Sequence, residues 1–127
     1  MFSGFFQCDS MKKKYSLKRN EEIAKIIQQK KFVKNNCFVI HYQKNENYNH
    51  SRICISVGKK NGNAVVRNKI KRQIRSFVDA IFDFNKSIDY VIVVRNDFIN
   101  NTYEVNKEKL NDLYNRINFN EKKELKA

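Results

Sequence analysis

The chain has 127 residues, 41% hydrophobic and 31% charged, with 26 Lys and Arg against 13 Asp and Glu, for a net charge of +13. That length suits one domain able to bury its own core, no apolar run approaches the ~18 residues that cross a bilayer, and the three cysteines are spaced as neither a paired disulfide framework nor a Cys-x-x-Cys metal knuckle. So large a positive excess repels itself in a compact fold, which points to a polyanionic partner, either nucleic acid or an anionic membrane surface.

Residues 1–10 are apolar but lack the basic start of a secretion signal; with Met11 as an alternative start they are expected to be an extension of a cytoplasmic protein. A basic lead-in follows to Lys18. Asn20, Glu21 and Glu22 supply a cap and first-turn acids, and Ile23, Ile26 and Ile27 at helical spacing predict a short helix to about Lys30. Residues 37–43 alternate Phe38, Ile40 and Tyr42 against Cys37, Val39 and His41, and residues 52–57 alternate Ile53, Ile55 and Val57 against Cys54 and Ser56. Both read as strands. The polar connection between them is turn chemistry, so an antiparallel pairing of the two is expected, with Cys37 and Cys54 as buried small hydrophobes.

After Gly58, Lys59, Lys60, Asn61, Gly62 and Asn63 the period changes to 3.6. Asn63 is placed to cap a helix with Ile70, Ile74, Phe77, Val78 and Ile81 on one face and Lys71, Arg72 and Arg75 on the flank. Residues 89–95 form a β-branched run, the pattern of a mid-sheet strand covered on both faces. Val105, Leu110, Leu113, Tyr114 and Ile117 predict a closing helix over residues 103–119, and residues 120–127 read as a frayed tail.

The charge is local. Residues 47–78 contain no acid, yet carry Arg52, Lys59, Lys60, Arg67, Lys69, Lys71, Arg72 and Arg75. An ordinary solvated basic helix would place Glu at i±4, and none stands before Asp79. The glycine-containing loop does not fit a nucleotide-binding P-loop, since neither the following Ser or Thr nor a magnesium-binding acid is in place. Neither His41 nor His50 has metal-ligand neighbours in sequence, and the basic segment holds no carboxylate for acid-base work, so a self-sufficient nuclease is disfavoured. A membrane partner is set aside because the basic flank lacks an apolar face of its own. A general RNA chaperone remains the alternative reading.

The segment from Gly58 to Arg75 resembles the signature of the bacterial ribonuclease P protein subunit: Arg67-Asn68-Lys69-Ile70-Lys71-Arg72, with Arg75 one turn on, matches that family's Arg-Asn-Arg motif and its continuation, with Lys69 in place of the second Arg. The likeness covers residues 11–116, including Leu17, Lys18 and Asn20 in the lead-in. It implies an α+β sandwich of αβββαβα order over residues 11–119, similar to a domain of a small-subunit ribosomal protein, with an extra strand near residues 32–34 and a left-handed βαβ crossover. It further implies an accessory subunit with no catalytic residue and no cofactor of its own. Its partners would be ribonuclease P RNA, which holds the magnesium and cleaves, and precursor tRNA, with no membrane and no small-molecule substrate. Lys59, Lys60, Arg67, Asn68, Lys69, Lys71, Arg72 and Arg75 would bind RNA. A cleft by the first helix, with Ile23, Ile27, Phe38 and His41, would receive the 5′ leader; Ile23, Ile27 and His41 stand where the family commonly has aromatics, and Phe38 matches it.

Overall fold

The computed structural model describes residues 20–29, 31–45 and 48–126; the expected extension and lead-in lie outside them. Three helices and four strands follow in the order α1 (Asn20–Gln28), β1 (Phe32–Lys34), β2 (Phe38–Lys44), β3 (Arg52–Ser56), α2 (Ala64–Ile81), β4 (Ile88–Val94) and α3 (Tyr103–Lys126). This is the expected αβββαβα order, and β1 stands where the family likeness put it.

The sheet order is β1-β2-β4-β3. β2 is antiparallel to β4, with Ile40 opposite Ile92, and β3 is parallel to β4, with Ile55 opposite Ile92. The expected pairing of β2 with β3 is therefore corrected: β4 is inserted between them. The reason lies in β4 itself. Apart from Asp89 near its start, its side chains are apolar on both faces and almost all buried, so its peptide groups find partners on both edges only at the centre of the sheet.

Alternation sorts the side chains into two layers. Phe38, Ile40, Tyr42, Ile53, Ile55, Tyr90 and Ile92 pack with Ile70, Ile74, Phe77 and Val78 of α2 and Leu110, Leu113, Tyr114 and Ile117 of α3. On the opposite face Cys54 and Val91 meet Ile26 of α1, with Ile23 and Val93 against them. Cys54 lies on β3, whereas Cys37 sits in the turn before β2; both are free and buried. Burial pushes the Cys54 thiol up to about 11, which keeps it protonated and unreactive at neutral pH.

The hand of the β3–α2–β4 connection follows from the direction of the peptide groups. Arg95 N–H donates to Cys37 O and Asn45 N–H to Ser87 O, which continues a ladder whose odd-numbered β4 residues bond to β2. Tyr90 and Ile92 thus bond towards β3 while their side chains face α2. An L-residue viewed with its side chain towards the observer and its chain running upward carries its own N–H and C=O on the right. Seen from α2, β3 lies right of β4, and the crossover steps leftward. It is left-handed, against the strong right-handed preference.

Two details of α3 differ from the pattern. Val105 is exposed, and the neighbouring Asn106 turns inward instead, donating from Nδ2 to Phe98 O at 3.0 Å to close the 3-10 turn Asn96–Asn100. The helix span also extends past Phe119 to Lys126, through a segment whose Glu, Lys and Leu content suits a helix.

Candidate nucleic-acid interface

The basic segment begins at the end of β3. A 3-10 turn, Lys59–Asn61, presents Lys59 and Lys60 to solvent, and Asn63 then caps α2, its side chain accepting from Val66 N–H at 3.0 Å. Gly58 has ordinary dihedrals. Gly62 does not: its φ is +136°, and a Cβ there would stand 2.9 Å from Cβ and Cγ1 of Val66. The sharp entry into α2 needs glycine at this one position. Gly62→Ala is expected to cost about 1–3 kcal/mol, read as a lower urea midpoint at unchanged slope; an unchanged midpoint would contradict the assigned geometry.

Along α2 the expected RNA-binding residues divide into three sets by exposure. Lys69 and Arg72 are exposed, Arg67 and Asn68 are half-buried, and Lys71 and Arg75 are buried, at 5% and 2% exposure. The expectation that all six lie open to RNA is therefore corrected for Lys71 and Arg75. They stand one turn apart, each next in sequence to a stripe residue, Ile70 or Ile74, so close docking of the stripe carries them inside. Burial first, then the neighbouring Arg67 and Arg75 charges, push the Lys71 ammonium below its ordinary range. The accessible cationic surface is Lys59, Lys60, Lys69 and Arg72, with Arg67 and Asn68 at its margin.

A separate cleft of about 440 Å³ opens between α1 and the sheet, lined by Glu22, Lys25, Ile26, Gln43, Lys44, Asn45, Arg52 and Asp89. Its floor is an ion-pair network. Arg52 donates from Nε to Asp89 Oδ1 at 3.0 Å and from Nη2 to Asp89 Oδ2 at 2.7 Å, and its Nη1 reaches Glu22 Oε2 at 2.9 Å. Asn45 Nδ2 donates to Asp89 Oδ1 at 2.9 Å. The guanidinium also lies 4.3 Å from the ring centroid of Tyr48. Although burial alone would lower it, these partners hold the Arg52 pKa above its ordinary value.

Of the four side chains expected in the cleft, Ile23 and His41 lie on the α1 side of the sheet, half-buried, and Ile27 is exposed on α1. Phe38 is the correction. Strand alternation turns it to the other layer, fully buried, with its ring edge-on to Phe98 at 5.5 Å. The His41 ring stands 5.5 Å from Phe32, and burial pulls its pKa down, keeping it neutral. Among the described residues no group of three or more His, Cys, Asp or Glu is arranged to hold a metal ion.

The cleft residues Arg52, Asp89, Gln43 and Asn45 escaped sequence reasoning, as did Tyr48 beside them. One signal was available: Arg52 and Asp89 each stand at the head of a buried strand run, with opposite charges. Only the parallel register, which sets Arg52 opposite Asp89, makes them partners.

A model of the ribonuclease P family matches residues 11–118. The ribonuclease P protein component of Mesoplasma florum is 46% identical over 109 residues, covering 84% of this chain and 98% of that protein; the Listeria monocytogenes component is 42% identical over 101 residues, covering 79% and 85%. Among solved structures, an RNase P protein of Staphylococcus aureus aligns with a TM-score of 0.75 at 31% identity over 81% of this chain and 94% of that one. The RNase P protein of Thermotoga maritima aligns at 0.69 and 29% over 80% and 96%.

Proposed function

The chain belongs to the ribonuclease P protein family, and from that premise we propose that it assists a catalytic RNA in removing the 5′ leader of precursor tRNA. It is a protein component of ribonuclease P, an enzyme of tRNA processing, and its partner is ribonuclease P RNA. On the proposed reading the chemistry, with its magnesium, belongs to the RNA. The cleft's two carboxylates, Glu22 and Asp89, are already engaged by Arg52, so the protein contributes neither a free acid-base pair nor a metal cluster there.

Two surfaces carry the proposed role. Lys59, Lys60, Lys69 and Arg72, with Arg67 and Asn68 beside them, neutralise phosphates of the folded RNA. This lowers the repulsion between that RNA and its RNA substrate. The cleft beside α1, rimmed by Lys25 and Lys44, receives single-stranded leader, with the Ile23 and His41 side of the sheet continuing the surface. Cytoplasmic action accords with such partners, and none of the described helices is long and apolar enough to cross a membrane.

The observation that carries the reading is the concentration of exposed cations, unaccompanied by any acid, at the start of α2. Its test is reconstitution: the cognate RNA should cleave precursor tRNA faster with the protein than without it at a few millimolar magnesium. The protein should also favour precursor over mature tRNA. Cleavage unaffected by the protein would sink the assignment, and equal binding of precursor and mature tRNA would favour a general RNA chaperone.

A further inference from the structure

We propose that Tyr48 is a stacking platform for one unpaired leader nucleotide at the mouth of the α1 cleft. This deepens the leader-binding reading and rests on it.

The ring is placed and held by cleft residues. Arg52 covers it at 4.3 Å from the centroid, and Arg52 is itself pinned by Asp89 and Glu22. From the other side of the loop, Asn45 Oδ1 accepts the Tyr48 backbone N–H at 3.1 Å, while Asn45 Nδ2 donates to Asp89 Oδ1 at 2.9 Å and to His50 O at 3.3 Å. Two of the neighbours that position Tyr48, Arg52 and Asn45, line the cleft; the third, the His50 ring, stands tilted 5.4 Å away. The residue is nevertheless 42% exposed. An aromatic surface that is half open to water yet already ordered can accept a base with little further loss of side-chain entropy.

The alternatives on this surface are weaker. The α1 side of the cleft offers Ile23 and Ile27, which have no π-face, and His41 is half-buried behind Phe32. Among the described residues the other exposed rings, Phe32, Tyr103 and Phe119, belong to β1 and α3. The charge pattern suits a nucleotide held this way. One Arg between two carboxylates leaves the cleft floor with a net single negative charge, unfavourable to phosphate, whereas Lys25 and Lys44 at the rim are exposed and cationic. The backbone is thereby kept at the rim, and a base turned towards the loop meets Tyr48.

The test measures binding to the holoenzyme reconstituted from this protein and its cognate RNA. The probes are precursor tRNA with a short single-stranded leader, the same precursor with an abasic nucleotide at successive leader positions, and mature tRNA. Tyr48→Leu and Tyr48→Ala should weaken precursor binding by roughly 5- to 150-fold, the range spanned by one base–aromatic stack, and leave mature tRNA binding unchanged. Tyr48→Phe should bind as the unmodified protein does. An abasic nucleotide at one leader position should abolish the difference between Tyr48 and Leu. If the unmodified holoenzyme prefers precursor and Tyr48→Leu binds it equally well, the platform is refuted and leader binding stands; so too if Tyr48→Leu loses precursor and mature tRNA alike. If the unmodified holoenzyme shows no preference for precursor, both fall.

Discussion

Replacing Lys59, Lys60, Lys69 and Arg72 together by alanine should leave the protein folded and weaken its binding to ribonuclease P RNA by roughly 200- to 1,000-fold at about 0.15 M salt. All four side chains are exposed, so their loss opens no cavity and strands no buried group. Each phosphate contact contributes about 0.7–0.9 to the slope of log affinity against log salt. Four contacts flatten that slope by about three. A titration between low and moderate salt checks both quantities at once. A variant whose slope matches the unmodified protein's would show that this surface does not face the RNA. Lys71 and Arg75 are deliberately left intact, because they are buried and their removal would mix a folding defect with a binding one.

Asp89→Ala should be the most damaging single change in the cleft, lowering stability by about 3–5 kcal/mol and the melting temperature by roughly 10–20 °C. The carboxylate receives two hydrogen bonds from Arg52 and one from Asn45, and the Asp89–Arg52 pair is withdrawn from water, with side-chain exposures of 8% and 11%. Removing it leaves a guanidinium buried with only Glu22 to balance it. Glu22→Ala is the internal control: at 31% exposure, its pairing with Arg52 is worth less than about 1 kcal/mol. Thermal melts of the two variants should separate clearly, and equal melting of Asp89→Ala and the unmodified protein would show that the pair does not hold the cleft floor.

Much of the architecture could be read directly from local pattern. Asn63 caps α2, Ile70, Ile74, Phe77 and Val78 form its buried stripe, and the run from Asp89 to Val94 lies mid-sheet, because each depends on the period of one element or on one backbone group near its own side chain. Reading failed where the outcome depends on a second element. The alternation of residues 37–43 and 52–57 shows two strands, yet does not say which neighbour each will take. The family likeness places Phe38 in the leader cleft, whereas the sheet's alternation commits it to the layer under α2 and α3.

The functional surfaces divide in the same way. The number and sign of the charges, their crowding into residues 47–78 and the motif at Arg67–Arg72 are properties of the chain itself, and they suffice to name a polyanion and an RNA-binding family. How deep each charge sits is decided by docking. α2 lies close enough to the sheet to take Lys71 and Arg75 inside and leave Lys69 and Arg72 out. Likewise the cleft exists only when the parallel register sets Arg52 against Asp89 and α1 brings Glu22 to them, joining residues from three separate elements. Sequence determined composition, period and caps, which are set by covalent neighbours; the tertiary structure alone decided strand order, burial of charge and the position of Tyr48, because those depend on contacts between segments far apart along the chain.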